Sequence, residues 1–129
     1  MSTHDDILDS LRTERAAIEA EVRDARMALV AAARALREAE TAGDLAMAER
    51  AARRAALAPL ARSVAGPLAR WAAGSDQAAH RAEGAVSLAK GNVFNAQHQL
   101  EILELALQQI DELLAPPRPV EPNLIEAAA

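Results

Sequence analysis

Residues 79–114 read AHRAEGAVSLAKGNVFNAQHQLEILELALQQIDELL. Within them Ala79, Ala82, Val86, Ala89, Val93, Ala96, Leu100, Leu103, Leu107, Ile110 and Leu114 recur at alternating steps of three and four residues, without a miss. That spacing holds every one of these side chains on one face of an α-helix, the seam pattern of a coiled coil. The stretch contains no proline, and Pro116-Pro117 closes it. This segment sets the fold class as all-α.

The N-terminal third carries the same pattern. Leu8, Leu11, Arg15, Ile18, Val22, Ala25, Leu29, Ala32, Leu36 and Ala39 keep the 3–4 spacing, with Arg15 the single polar member. Arg15 either marks register or reaches outward past its own stem. Ser2 or Thr3 can cap this helix, and Asp5 and Asp6 suit its positive first turn. Thr41-Ala42-Gly43-Asp44 reads as a stop followed by a new cap, and Gly74-Ser75-Asp76 repeats that punctuation. Between them lies a second apolar stripe: Leu45, Ala48, Ala52 and Ala55, then Leu60, Val64, Leu68 and Trp71. Pro59 should kink that segment, and Gly66-Pro67 is a second weak point.

These readings predict an elongated up-down-up three-helix bundle over residues 1–115. Its helices run over about 3–41, 44–73 (kinked near Pro59) and 76–115, the outer two each roughly 55 Å long. Large side chains would then face small ones. Leu8 and Leu11 share one end with Leu68, Trp71, Ala79 and Ala82, and Ala32 and Ala39 meet Leu103, Leu107 and Ile110 at the other. The alternative is a long two-helix hairpin whose middle segment breaks at Pro59 and Pro67. Residues 116–129 hold four prolines and read as an extended tail ending in a mildly apolar segment, with Leu124 and Ile125 adjacent.

Composition agrees with a thin molecule. Half of the 129 residues are apolar, but much of that half is alanine, with one Phe, one Trp and no Tyr. Alanine favours helix and buries little area. There is no cysteine, hence no disulfide framework and no Cys-ligated zinc. No apolar run reaches the roughly 18 residues of a membrane span, and Met1 to Asp9 is polar and acidic, unlike a secretory signal. The expectation is a soluble protein, cytoplasmic or built into a macromolecular particle. Charge is uneven: −3 over residues 1–42, +3 over 43–74, −4 over 75–115 and −1 beyond. A basic segment lying between two acidic ones is the simplest use of that pattern.

Catalytic constellations are weak. His80 and Glu83 share a helix face but lack further ligands, and a metal site needs three or four. His98 sits among Asn95, Gln97 and Gln99. Ser10, Ser63, Ser75 and Ser87 lack a glycine elbow, and Lys90-Gly91-Asn92 lacks the upstream glycines of a phosphate loop. The chain is therefore read as non-enzymatic, without cofactor or metal. Arg50, Arg53 and Arg54 cluster at helical spacing and could track phosphates. The net charge of −5, a single lysine and the lack of stacking aromatics argue against it.

The apolar surplus of the last helix says more. Ile102, Leu105 and Leu113 lie outside its 3–4 seam, so the helix is apolar nearly all round from residue 100 to 114. One bundle covers one side, which leaves these three for a subunit or partner interface, joined by Leu124 and Ile125 of the tail. Gly84 and Gly91, seven apart and off the seam, offer a smooth strip for close approach. The sequence thus reads as a structural or adaptor protein that forms a homo-oligomer or docks as a subunit of a larger complex. Phage connectors and assembly factors share this make-up. A helical chaperone for an export or assembly substrate, and a nucleic-acid-binding regulator using the Arg stripe, are the alternatives.

Overall fold

The computed structural model describes residues 3–60 and 66–116. It holds two long helices, α1 over Thr3–Leu57 and α2 over Pro67–Leu114, with a 3-10 turn at Ala58–Leu60. The two pack side by side along their length. At 1.5 Å per residue, α1 is about 80 Å long and α2 about 70 Å. No strand occurs among the described residues.

The cross-helix pairs fix the direction. Arg15 meets Asp111, Arg26 meets Glu104, Gly43 lies against Val86 and Arg54 meets Asp76. As α1 advances its partners on α2 retreat, so the helices are antiparallel. The all-α expectation holds, and the architecture is the hairpin rather than the three-helix bundle.

Two pieces of punctuation account for the difference. Gly43 does not end a helix: α1 runs through it. A lone helical glycine costs only about 1 kcal/mol against alanine, and here it sits at the close approach to α2. A Cβ built on it would lie 3.6 Å from Val86 Cγ2. Gly74-Ser75-Asp76 is likewise inside α2. Ser75 is buried in the seam and its hydroxyl donates to the Ala72 carbonyl at 2.8 Å. Asp76 answers Arg54 across the helices.

With Gly43 continuous, the 3–4 seam of α1 extends through Gly43, Ala46, Arg50, Arg53 and Leu57, all half-buried. Leu45, Ala48, Ala52 and Ala55, expected as the second stripe, are exposed. Trp71 stands beside Arg53 at the turn end, with Leu68 in the first turn of α2, far from Leu8 and Leu11. The basic stretch 43–74 is shared between both helices around the turn instead of forming a middle helix.

The true break is where the prolines are. Pro59 lies in the 3-10 turn, and Pro67 occupies the first position of α2, where its missing N–H costs nothing. Gly66 before it has φ 60°, a left-handed conformation that a side chain disfavours. Its carbonyl accepts from the Arg70 N–H at 3.1 Å, opening α2. At the far end Ala115 is extended, as the residue before a proline should be, and its N–H donates to the Asp111 carbonyl at 2.9 Å.

The core is the seam alone. Val22, Ala25, Ala79, Ala89 and Ile110 are its buried apolar members, and no large side chain among the described residues is fully enclosed. Two helices bury one stripe each and leave most of their circumference open.

Candidate docking surface

One flank of the hairpin is charged. Arg26–Glu104 at 3.7 Å and Arg54–Asp76 at 3.2 Å bridge the helices along it. At the open end Arg15, the polar member of the α1 seam, donates through Nε to Asp111 at 2.5 Å and through Nη1 to Glu19 at 2.6 Å. The hydrogen bond to Asp111, then that to Glu19, raises the guanidinium further above its ordinary value. Arg15 therefore reads register. Exposed pairs of this kind align the helices more than they stabilise them.

The face of α2 turned away from α1 is different. Gly84, Leu88, Gly91, Asn95, His98, Ile102, Leu105 and Gln109 step by four and three residues, a second seam spacing on the same helix. All are exposed. Between Gly84 and Ile110 the only charged residues are Lys90, Glu101 and Glu104, and none falls on this strip. Leu88 is 68% exposed, Ile102 49% and Leu105 54%. Phe94 borders the strip at 67%, its ring parallel to that of His98 with centroids 6.3 Å apart. Leu113, 66% exposed, lies off this spacing, whose next member is Glu112.

On α1 the exposed Leu45, Ala48, Ala52 and Ala55 keep a similar spacing without charge, but Leu45 is the single large side chain among them. Met27 and Val30 are exposed there, but Arg26 and Arg34 line the same shallow depression. Scattered apolar side chains and exposed alanines are ordinary surface; an uncharged strip that carries Leu88, Ile102 and Leu105 together is not.

Of the three residues singled out in the sequence, Ile102 and Leu105 share one outer face with Gly84 and Gly91, and Leu113 lies off it. Leu124 and Ile125 lie outside the described residues. Leu88, Asn95 and His98 belong to the strip and Phe94 borders it; in sequence Asn95 and His98 looked like plain polar surface, and Leu88 and Phe94 did not stand out. The signal of the three members was the 4–3 spacing running from Gly84, legible only when the glycines are counted as members.

Comparison with known proteins finds no match. No family model, no curated protein and no solved structure corresponds to the chain.

Within the arginine cluster two members lie along the seam and Arg54 is exposed on the charged flank. Arg50 and Arg53 occupy seam positions. Arg53 pairs with Glu49 at 2.6 Å, donates to the Trp71 carbonyl at 2.5 Å and lies 4.9 Å from the centre of the indole. Arg54 holds Asp76. His80 and Glu83 are exposed, and no cluster of three or more His, Asp or Glu suited to a metal occurs among the described residues. An open groove beside Gly43 mixes Glu40, Asp44 and Glu83 with Met47, Val86 and Lys90. No described helix is long and apolar enough to cross a membrane.

Proposed function

We propose that the chain is a non-enzymatic structural or adaptor protein whose outer α2 face docks it into a larger protein assembly. The observation that carries this reading is the uncharged strip from Gly84 to Gln109, with its exposed Leu88, Ile102 and Leu105. The hairpin already has a seam of its own, so these residues are not needed to hold α1. Water contact with such side chains is unfavourable at roughly 25 cal/mol per Å² of apolar surface, and a partner helix removes it. A helix laid on a 3–4 stripe is a standard recognition mode. A particle connector or assembly component would use the surface permanently. The engagement of Arg53 and Arg54 within the hairpin weighs against a role in nucleic-acid binding. The tail residues Leu124 and Ile125 would add a second, smaller anchor.

The test is the double change Ile102→Glu with Leu105→Glu. Helicity by circular dichroism should stay within about a tenth of the parent, because neither side chain lies on the seam. The chain's complexes, sized by native chromatography of extracts from its own cells, should shift to the free form. Loss of helicity with no separable binding defect would show these residues to be internal core and overturn the reading.

A further inference from the structure

The strip's two halves fit each other when one is reversed, and we propose that its occupant is a second copy of this chain, with α2 packed antiparallel on α2. This rests on the reading of the strip as a docking face and names what docks there. The register follows from size and polarity. Laid antiparallel about a two-fold axis between Ala96 and Gln97, each Leu88 faces Leu105 of the other copy. Each Gly91 takes Ile102, and each Asn95 meets His98. Bulk then falls on bulk or into a glycine gap, as packing density requires. The polar pair Asn95–His98 recurs twice at the centre, where a polar member specifies register.

Neighbouring registers fail on the same residues. A slip of seven in one direction sets Leu88 against His98 and Leu105 against Arg81. A slip in the other sets Leu105 against Asn95 and Leu88 against Glu112. A parallel arrangement sets Gly84 on Gly84 and Gly91 on Gly91, leaving a void in that half.

The area is also right. Leu88, Ile102 and Leu105 on the strip and Phe94 at its edge are between about half and two thirds exposed. Together they present on the order of 400 Å². The small and polar members of the strip bring this near the ~800 Å² per partner of a specific interface. A two-fold interface of this kind is isologous and closes on itself. The result is a four-helix array with both charged flanks left in water.

The chain has no cysteine, so single introduced thiols report register without background. Leu88→Cys and Leu105→Cys each alter an exposed side chain off the hairpin seam and should leave the fold intact, checked by circular dichroism. Each variant alone, mildly oxidised at about 50 μM, should form little disulfide dimer. An equal mixture should cross-link at least five-fold more, through position 88 of one copy and 105 of the other. The parent chain should sediment at twice its 13.6 kDa mass. Efficient cross-linking of either variant alone would show parallel packing and overturn the proposal, as would a parent chain that stays monomeric. A monomer whose Ile102→Glu, Leu105→Glu form still leaves its native complexes would retain the docking reading and lose only the second copy. A dimer in the stated register whose double variant stays in those complexes would do the reverse.

Discussion

Replacing Gly43 by alanine separates the hairpin from a three-helix chain by the sign of its effect. In the hairpin Gly43 is helical, and the new Cβ would meet Val86 Cγ2 at 3.6 Å, an ordinary contact. Alanine gains about 0.8–1.0 kcal/mol in helix propensity over glycine. The partly buried methyl adds up to about 0.5 kcal/mol. Gly43→Ala should therefore stabilise the protein by about 1–1.5 kcal/mol, raising the melting temperature by about 3–6 °C in a chain of this size. Gly66→Ala is the matched control. At φ 60° a side chain costs about 1–2 kcal/mol, so this change should lower the melting temperature. Thermal unfolding followed at 222 nm reads both. If Gly43→Ala destabilises by a similar amount, the residue closes a helix in the left-handed conformation and the reasoning fails.

Arg53→Ala should release the turn end, since it removes the donor to the Trp71 carbonyl and the cation over the indole. Trp71 is the only tryptophan, so its emission should change in maximum and intensity with little change in helicity; unaltered fluorescence would show the clamp to be absent in solution. Circular dichroism of the parent should report about four-fifths helix, from helices of 55 and 48 residues in 129. A value near the one third of ordinary globular proteins would contradict the architecture.

How much of this was legible in the sequence depends on which residues carried the signal. The seam of α2 was complete, because every member from Ala79 to Leu114 is apolar and the prolines after it end the helix. The seam of α1 was legible only as far as Ala39. Beyond it the same positions are Gly43, Ala46, Arg50, Arg53 and Leu57, which do not look like a stripe. Glycine there serves close approach to Val86, and Arg53 reaches Trp71, yet in sequence a glycine followed by an aspartate looks like a stop and a cap. Gly74-Ser75-Asp76 misled in the same way, since Ser75 is a buried seam residue and Asp76 an ion-pair partner. The prolines were the better guide to the turn. On the outer face, Ile102 and Leu105 stood out by bulk. The strip they belong to includes glycines, an asparagine and a histidine, and it becomes visible only once the seam fixes which side of α2 faces away.

The direct measurement of the docking face is site-specific photocross-linking in the protein's own cells. A benzophenone side chain placed at Ile102 lies on the uncharged strip, while one at Lys90 lies on the charged side of the same helix. The account predicts strong adducts of defined mass from position 102 and only traces from position 90. Equal adducts from both positions, or none from position 102 while the protein remains folded, would contradict it.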